Sequence, residues 1–445
     1  MMMYEQILLL LSPIIEPVLS KDVWPLIMRF IPFIIFYELP YTLLIYAGVV
    51  KYIWERRRER LRRAYFPPVS CIITCYSEGR DVQRTIRSLT EQIYPGRIEL
   101  IVMIDGAACN SETYEAALEM NAYVRNFAGR SLKVVPKWQR GGRVSSINAG
   151  LNYIRGEIIF VLDGDTSFDN NMVERAVRHF EDDSVAAVSG CLRVRNADSS
   201  LAASLQAIEY FISIQTTKTG LSEFNIVNNV SGAFGIFRRS VVELLRGWDA
   251  GTAEDLDITL RIKQYIGRYG GKVRIIFDPE AMGHTDVPDT FAGYFRQRLR
   301  WDGDLSFIYF KKHWRAFSVR LLGWPNFIMA VLNGLYSQIV LPFVIFTYTL
   351  WLFWAYPLGY VLSLLSTVYF FYFILLSAMY VTSLVFISER KREDLSRLPL
   401  LVIFPLFIFS SRINSLLATV SELVFKSHKD SSMAPWWVTK KSKFD

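Results

Sequence analysis

The stretch Ile158–Asp165, IIFVLDGD, joins five apolar residues to two aspartates that are separated by one glycine. A run of aliphatic and aromatic residues without polar interruption predicts a short strand that is buried on both faces. Two carboxylates directly after such a strand can hold a hard divalent cation and still leave positions for phosphate and water. A solvated turn is the competing interpretation of the pair. We therefore expect a ligand site at the end of this strand.

Further runs of strand composition lie upstream and alternate with segments of helical spacing. The strand-like runs are Val69–Cys75, Ile98–Ile104 and Leu132–Val135, in addition to Ile158–Leu162. The segments with helical spacing are Asp81–Ile93, Ser111–Phe127 and Val144–Ile154. This alternation predicts an α/β fold in which helices cover both faces of a parallel or mostly parallel sheet.

Polar and acidic residues recur at one edge of the predicted sheet. Thr74-Cys-Tyr-Ser-Glu78 follows the first strand, and Asp105 follows the second. Asp163 and Asp165 follow the strand described above. Because ligands of such folds bind at the carboxyl ends of the strands, these side chains are candidates for a binding site.

The composition excludes several classes of protein. The 445 residues are 51% hydrophobic, and 50 Lys and Arg against 42 Asp and Glu give a net charge of +8. This excludes a disordered chain and a small disulfide scaffold. The four cysteines contain no C-x-x-C pair, so we expect reduced cysteines rather than zinc ligands. The sequence has no G-x-G-x-x-G after the first strand and no P-loop, which argues against a dinucleotide fold and an NTPase.

The amino-terminal part predicts one membrane crossing. Phe30–Trp54 is a mainly apolar stretch longer than the about 20 residues that a spanning helix needs. Six arginines between Arg56 and Arg63 place its end in the cytoplasm and make anionic lipid, not nucleic acid, the expected partner of the basic charge. Glu38 is either a pathway residue or a near-interface residue. The patch Ile7–Leu19 lacks a basic flank and a cleavage site, and we expect it on the far surface rather than as a signal peptide.

The carboxyl-terminal part predicts further membrane helices. Leu321–Ser388 contains no charged residue in 68 positions, enough for two crossings joined near Pro357–Gly359. The charged run Glu389–Asp394 marks a return to the cytoplasm. Leu398–Phe425 is apolar but interrupted by two charged residues, so a full span and a re-entrant or interfacial helix both fit it.

Three motifs follow the predicted strands: Ser231–Arg239 (SGAFGIFRR), Thr252–Asp255 (TAED) and Gln297–Trp301 (QRLRW). With Asp105 and the pair Asp163 and Asp165, they resemble the D, D-x-D, [TS]-E-D and Q-x-x-R-W pattern of processive family-2 glycosyltransferases. This group comprises the membrane-embedded synthases of cellulose, chitin, hyaluronan and poly-N-acetylglucosamine. The resemblance extends over roughly Val69–Trp301 and, more weakly, over the tail.

The resemblance implies a GT-A type sheet domain joined to an α-helical transmembrane domain with interfacial helices. It implies transfer from a nucleotide-sugar, expected to be a UDP-sugar, with Mg²⁺ or Mn²⁺ on Asp165 and Asp163. Asp255 would be the base, with Glu254 beside it, and one such carboxylate fits a single displacement with inversion. The acceptor would be bound by Gln297, Trp301 and Gly232. The residues implied in nucleotide-sugar binding are Thr74, Tyr76, Glu78, Asp105, Arg143, Asp163, Arg300, Thr439 and Lys441.

The sequence departs from the family pattern in two places. Arg143 stands where the family has lysine in G-K-x-x-x-L-N, and its planar guanidinium changes the geometry of a phosphate or nucleoside contact. The [TS]-E-D element is offset, because Ala253 separates Thr252 from the Glu-Asp pair. The base assignment therefore depends on Glu-Asp alone.

The tail Trp436–Lys441 (WWVTKK) resembles both the W-x-T-[RK] tail of hyaluronan-type synthases and the F-x-V-T-x-K gating loop of cellulose synthases. It would reach over the nucleotide, with Thr439 and a lysine on the diphosphate; a disordered basic tail is the alternative. A tail that contacts a cytosolic nucleotide must itself be cytosolic. An even number of crossings then follows Trp301, so we favour a re-entrant or interfacial helix for Leu398–Phe425.

These features divide the chain into five parts. Residues 1–64 hold a surface segment, a transmembrane helix and a basic linker; 65–288 a cytosolic GT-A domain; 289–320 interfacial helices with QRLRW; 321–425 transmembrane or re-entrant helices; and 426–445 a gating-loop-like tail. We expect an integral protein of the plasma (inner) membrane that makes a β-linked extracellular or capsular polysaccharide and translocates it. Its partners would be the donor, the growing polysaccharide and the bilayer, with an accessory membrane or export subunit left open and no nucleic acid.

Two other functions remain open from the sequence. A non-processive transferase would place one sugar on a lipid phosphate, although such enzymes typically lack Q-x-x-R-W. A non-catalytic membrane receptor or transport component would keep the fold without the chemistry, although the metal and base carboxylates are all present. The sequence does not identify the sugar, its linkage or its acceptor.

Overall fold

The computed structural model describes residues 12, 24–58, 65–249, 253–269 and 272–426. Within these ranges the chain forms one eight-stranded mixed sheet, helices on both of its faces and long apolar helices. The strands are β1 (Val69–Cys75), β2 (Ile98–Asp105), β3 (Arg130–Lys137), β4 (Ile158–Asp163), β5 (Ser167–Phe168), β6 (Val185–Val194), β7 (Phe234–Arg238) and β8 (Arg274–Thr285). Their order across the sheet is β3-β2-β1-β4-β7-β6-β8-β5.

The first half of the sheet is parallel. β1 pairs with β2 and β4, and β2 pairs with β3, so the carboxyl ends of these four strands share one edge. β1 has the predicted bounds, whereas β2 and β4 each extend one residue beyond the prediction, to Asp105 and Asp163. Acidic side chains therefore stand at the edge where ligands bind in such folds.

The second half of the sheet is mixed and was not predicted from sequence. β7 runs antiparallel to both β4 and β6, whereas β6 and β8 are parallel to each other. β7 has five residues and contains Gly235, and β8 contains Pro279 among several polar residues. Neither strand shows the continuous apolar run of β4, which explains why the composition did not reveal them.

The α-helices of the described ranges are α1 (Trp24–Phe33), α2 (Leu39–Arg58), α3 (Asp81–Thr90), α4 (Ser111–Arg125), α5 (Gly142–Gly150), α6 (Met172–Val177), α7 (Leu201–Tyr210), α8 (Thr217–Ser222), α9 (Arg239–Leu244), α10 (Glu254–Arg268), α11 (Phe291–Phe307), α12 (Val319–Met329), α13 (Leu341–Ala355), α14 (Leu358–Phe386), α15 (Lys391–Ser396) and α16 (Phe404–Phe425). π-Helical segments join several of them, at Ile34–Glu38, Phe211–Thr216, Ile308–Lys312 and Ala330–Val340.

Helices cover both faces of the sheet, because successive residues of a strand point to opposite sides. Ile73 of β1 packs in one core with Ile86 of α3 and Ala117 of α4. Ile72 packs in the opposite core with Ile147 of α5 and Ile262 of α10. The predicted α/β fold, a mostly parallel sheet between two helical layers, is confirmed.

Three helices of the described chain are long and apolar enough to cross a membrane: Ile34–Arg56, Val319–Ala355 and Leu358–Phe386. The second and third come from the uncharged stretch, with the helix broken at Tyr356 and Pro357. These helices indicate membrane association. Whether the segment that ends with α16 re-enters or spans stays a prediction.

Glu38 contacts another candidate span. It lies near the start of Ile34–Arg56, and its carboxylate accepts a hydrogen bond of 2.9 Å from the Tyr372 hydroxyl in α14. The contact joins two apolar helices and is compatible with both interpretations of Glu38.

The first candidate span docks on the sheet domain through two glycines. Gly48 of α2 approaches Gly220 of α8 so closely that a Cβ on Gly48 would lie 2.0 Å from the Gly220 carbonyl oxygen. Near the end of α2, Arg56 forms an ion pair with Glu280 of β8, whose side chain is 4% exposed. The arginine-rich end of this span therefore lies on the side of the sheet domain.

We predict that Gly48→Val destabilises the protein by about 1–3 kcal/mol, because the added side chain must push α2 away from α8. The measurement is thermal unfolding of the full chain in detergent. Ala47→Val is the matched control, since Ala47 is exposed on the same helix. Equal midpoints for the two variants would contradict the docking contact.

Candidate active site

A cavity of about 880 Å³ lies at the carboxyl ends of β1, β2 and β4. It is lined by the predicted site residues that the structure describes: Thr74, Tyr76, Glu78, Asp105, Arg143, Asp163, Asp165, Gly232, Glu254, Asp255, Gln297, Arg300 and Trp301. Thr252, Thr439 and Lys441 lie outside the described residues. The fold thus brings residues separated by more than 200 positions in sequence into one cavity.

The turn after β4 is pressed against β1 and holds two carboxylates. The Gly164 N–H donates to the Thr74 carbonyl (3.1 Å), and the Gly164 carbonyl accepts from the Thr85 hydroxyl (2.7 Å). A Cβ on Gly164 would lie 2.6 Å from the sulfur of Cys75, so the turn requires glycine. Asp163 and Asp165 on either side of it both line the cavity.

Three carboxylates crowd this end of the cavity. Glu78 lies beside the turn, with its carboxyl carbon 3.3 Å from the position of a Cβ on Gly164. Burial raises the pKa of Glu78 to about 7, and the charges of Asp165 and Asp163 add to the shift. Burial and the charge of Asp163 raise the pKa of Asp165 to about 6. Within the described chain, Glu78 Oε2 is buried without a hydrogen-bond partner.

This donor set fits a divalent cation, because crowded carboxylates with raised pKa values and an unpartnered buried oxygen favour a bound positive charge. One Asp163 oxygen is already paired with Arg143. In the part of the chain that the structure describes, no three His, Cys, Asp or Glu side chains are close enough to hold a metal by themselves. A cation here would therefore complete its coordination with oxygens of a bound substrate.

Asp105 organises the loop that leads into α5. Its Oδ1 accepts from the Lys137 ammonium (2.7 Å) and from the Gly141 N–H (2.9 Å), and its Oδ2 accepts from the Gly142 N–H (2.9 Å). Gly142 has φ +77°, a left-handed conformation that favours glycine. Both carboxylate oxygens are thus engaged by protein groups, and direct contact of Asp105 with a nucleoside stays a prediction.

Arg143, the next residue of α5, connects four separate elements. Its Nη1 donates to the Thr74 hydroxyl (2.8 Å) and pairs with Asp163, its Nη2 donates to the Gly232 carbonyl (2.5 Å), and its Nε lies 2.6 Å from Glu254 Oε1. The side chain is 7% exposed. This guanidinium ties the end of β1, the turn after β4, the loop before β7 and the start of α10 to one another. Its nitrogens face protein groups, so contact with a phosphate also stays a prediction.

Two carboxylates stand at the first turn of α10. Glu254 is 7% exposed, and burial raises its pKa despite the charge of Arg143. Asp255 Oδ2 accepts from the Asn229 side-chain amide (2.9 Å), and Oδ1 accepts from the Leu256 N–H (2.7 Å). Ala253 before them has φ +49°, an unfavourable conformation for a non-glycine residue that is common at functional sites. Asp255 is thus held in a fixed orientation at the cavity wall.

The QRLRW motif lies on α11, which begins at a Thr290 cap that accepts from the Gly293 N–H (3.1 Å). Within the described chain, Gln297 Oε1 is buried without a hydrogen-bond partner. Trp301 is partly buried against the sheet-domain core. The Arg298 guanidinium stands 4.5 Å from the centre of the Trp301 ring. The motif therefore presents an amide and an aromatic ring to the cavity.

Sequence reasoning missed several residues that build this site. Arg298 pairs with Glu209 of α7 (2.9 Å), and Asn229 orients Asp255. Arg298 occupies an unspecified position of Q-x-x-R-W, and Asn229 lies in a segment without a motif. A buried charge pair cannot be recognised until the fold brings α7 and α11 together.

The cavity continues among the apolar helices. Asn333 and Gln338, between α12 and α13, line it together with Arg412 and Ser415 of α16. The Arg412 guanidinium donates to the Ser337 carbonyl (2.9 Å), and the Ser415 hydroxyl donates to Asp302 (2.6 Å). Polar groups therefore extend from the sheet edge to the candidate span Val319–Ala355 and to α16. We call the candidate spans together with α16 the membrane part of the chain.

The part of the chain that contains most of this site is similar in sequence to known proteins. Residues 67–303, just over half of the chain, match the sequence profile described as "Glycosyltransferase like family 2". A poly-beta-1,6-N-acetyl-D-glucosamine synthase of Staphylococcus epidermidis is 28% identical over 234 residues, covering 52% of this chain and 53% of that protein. The synthase of the same name from Staphylococcus aureus strain COL is 25% identical over 283 residues, covering 62% and 65%. The matched segments span less than two thirds of these relatives.

A solved structure shares the fold. A mannosyltransferase from Pyrobaculum calidifontis, in complex with GDP-Man and Mn²⁺, superposes with a TM-score of 0.50 at 18% identity. The match covers 87% of this chain and 98% of that one. At this identity the likeness concerns the fold, and it confirms the predicted GT-A type sheet domain.

We predict that Arg143→Met destabilises the protein by about 3–5 kcal/mol, because it leaves the buried Glu254 and the half-buried Asp163 without their cation. Arg143→Lys should recover only part of this loss, since the single nitrogen of an ammonium cannot contact all four groups that the three guanidinium nitrogens reach. Thermal unfolding of the purified full chain measures both. Arg84→Met, at a residue whose side chain is 53% exposed, is the control; a loss no larger than that of the control would contradict the connecting role of Arg143.

Proposed function

The chain belongs to glycosyltransferase like family 2, and we propose that it is an inverting, processive polysaccharide synthase that uses a nucleotide-sugar, expected to be a UDP-sugar, and exports a β-linked product through its own helices. The observation that carries the proposal is the single cavity that contains Asp163, Asp165 and Asp255 at one end and Asn333 and Gln338 of the membrane part at the other. A transferase that only modified a soluble acceptor would not need that continuation.

Asp255 is the proposed base. It would take the proton of the acceptor hydroxyl while that oxygen attacks the anomeric carbon, and the bond from this carbon to the diphosphate would break with its electron pair on the leaving group. One base on the face opposite the leaving group gives inversion in a single displacement. The hydrogen bonds from Asn229 and the Leu256 N–H support this role, because they fix the carboxylate before substrate binds.

The acidic end of the cavity is the proposed donor site. A Mg²⁺ or Mn²⁺ ion held by Asp165 and Asp163 would neutralise charge on the departing diphosphate. Glu78, Thr74 and Tyr76 line the same end and would position the nucleotide. The Mn²⁺ of the mannosyltransferase with the shared fold supports a divalent ion without identifying it.

The QRLRW helix is the proposed acceptor platform. Trp301 offers an apolar ring to a sugar, and the unpartnered oxygen of Gln297 offers an acceptor for a sugar hydroxyl. The ring is backed by Arg298 and by the core of the sheet domain, which hold it in place. The names of the Staphylococcus relatives support a polymer as product.

The proposed orientation places the sheet domain in the cytoplasm at the plasma membrane. Arg56, at the end of the first candidate span, contacts the sheet domain through Glu280. The arginine-rich sequence at this end is typical of a cytoplasmic boundary. Nucleotide-sugar would then reach the cavity from the side on which it is made.

A nucleotide-release assay tests the proposal. Full-length protein in detergent is given Mn²⁺ or Mg²⁺ and a panel of UDP- and GDP-sugars, and the product is sized on a gel. Release with one donor and a high-mass product is expected. A product with a single added sugar on a lipid would indicate the non-processive alternative. If the protein released nucleotide from none of the donors in the panel, the transferase proposal would be contradicted.

We predict that Asp255→Asn lowers polymer synthesis by at least about 100-fold, the usual effect of removing a general base, while donor binding persists. Donor binding is measured by calorimetry and synthesis by incorporation of labelled sugar. Asp183→Asn is the control because its side chain is fully exposed. Retained synthesis in Asp255→Asn would remove the base assignment.

Trp301→Ala should reduce chain extension more than donor hydrolysis, because the ring is proposed to hold the acceptor and not the nucleotide. Both rates are measured in one reaction, as label in polymer and label in free sugar. Phe310→Ala, at an exposed aromatic residue nine positions further along, is the control. A larger loss of hydrolysis than of extension would contradict the platform role.

A further inference from the structure

A buried lysine lies in the wall of the cavity. Lys218 of α8 is 6% exposed and lines the cavity, and no motif of the sequence contains it. Full burial is rare for lysine, because an ammonium loses its hydration when it leaves water. A lysine at this depth must therefore be held by fixed hydrogen-bond acceptors of the protein.

The acceptor for Lys218 belongs to the residue that orients the proposed base. The Lys218 ammonium donates to the Asn229 backbone carbonyl (3.0 Å), and the Asn229 side-chain amide donates to Asp255 Oδ2 (2.9 Å). The other hydrogen bond to this carboxylate comes from the Leu256 N–H of the same helix. Among the residues that the structure describes, Asn229 is thus the one side chain that donates to the Asp255 carboxylate. Two successive hydrogen bonds connect α8 to the base through one residue.

The remaining anchors of this segment do not hold the Asn229 backbone directly. The Val230 N–H donates to the Thr259 hydroxyl oxygen (2.9 Å), one residue further along. The Asn229 N–H donates to the side chain of its neighbour Asn228 (3.0 Å). In the described ranges, Lys218 therefore makes the one hydrogen bond that holds the Asn229 backbone from another element of the fold.

α8 is itself fixed against two candidate membrane spans. Gly220, two residues after Lys218, makes the close contact with Gly48 of α2. The Thr216 hydroxyl, directly before α8, donates to the Ser383 hydroxyl of α14 (2.6 Å). Lys218 is thus mounted between two packing contacts, and its ammonium reaches the Asn229 carbonyl from a supported helix.

The charge of Lys218 suits this contact. Burial lowers the pKa of Lys218 to about 8, and the negative charge of Asp255 opposes part of this shift. A pKa in this range leaves most of the group protonated at neutral pH. The hydrogen bond to the Asn229 carbonyl is therefore charge-assisted, which makes it stronger than a bond between neutral groups.

We propose that Lys218 is a positioning residue of the transferase, which holds Asn229 where its amide can fix the Asp255 carboxylate. A general base acts only within hydrogen-bond reach of the proton that it removes, so its orientation before substrate binds affects the rate of the chemical step. The lysine itself contacts no reacting atom in this account. The inference rests on the proposed function and adds a residue to its base.

The first test separates turnover from donor binding. The full chain in detergent is assayed with the UDP- or GDP-sugar that the wild-type protein incorporates into polymer. Lys218→Met should lower kcat at least about tenfold, because a shift of about 1 Å at a reacting group can cost about 100-fold, and it should change the donor KM and Kd less than about twofold. Lys272→Met, at an exposed lysine before β8, is the matched control and should leave kcat unchanged.

The second test asks whether Lys218 acts through Asn229. Asn229→Ala removes the amide but keeps the backbone carbonyl, and it should lower kcat by a factor similar to that of Lys218→Met. Adding Lys218→Met to Asn229→Ala should then change kcat less than about threefold, because the side chain that the lysine positions is already absent. Lys218→Arg keeps a positively charged donor and should recover at least about threefold of the loss.

Three outcomes overturn the inference. The first is a Lys218→Met variant with the kcat of the wild type. The second is an equal loss from Lys218→Met with and without the Asn229 side chain, because the lysine would then act by another route. The third is loss of donor binding in both Lys218→Met and Lys218→Arg, because the lysine would then serve the fold. A wild-type protein that makes no product, or an Asp255→Asn variant that retains synthesis, would instead contradict the proposed function or its base.

Discussion

The site depends on one buried guanidinium. Arg143 reaches Thr74, Asp163, Gly232 and Glu254, and these four residues belong to elements that are distant in sequence. A charge with this little exposure is stable only while its partners stay in place, and the buried Glu254 carboxylate depends equally on the charge of Arg143. The distance between the acidic turn after β4 and the start of α10 is thereby fixed. In the proposed mechanism, the leaving diphosphate and the base must be held at a fixed separation, which this framework would provide.

The same framework connects the sheet edge to the membrane part. α10 carries Asp255 at its start, and its Gly267 lies so close to α12 that a Cβ there would stand 2.1 Å from the Leu321 carbonyl oxygen. α11 carries Trp301 and contacts α16 through a hydrogen bond from Asn414 to the Phe295 carbonyl (3.1 Å). The proposed base and acceptor platform are thus mounted on helices that pack directly on the membrane part. Chemistry and passage of the product would share one rigid frame.

The sequence predicted those features that are encoded locally. The apolar run of β4 and its Asp-Gly-Asp end could be recognised because a buried parallel strand needs a continuous apolar run. β7 and β8 escaped prediction because Gly235 and Pro279 break the pattern and their pairing is long-range. The ion pair between Arg298 and Glu209 escaped it because the two residues lie on helices that only the fold brings together.

The most direct measurement of the central claim uses inverted membrane vesicles that contain the full chain. Labelled nucleotide-sugar is added outside, and the product is sized before and after treatment with a glycosidase that cannot cross the membrane. Synthesis coupled to passage through the cavity predicts a high-mass product that is protected inside the vesicles. A product that stays outside and is fully digested, or that carries a single added sugar, would contradict the account.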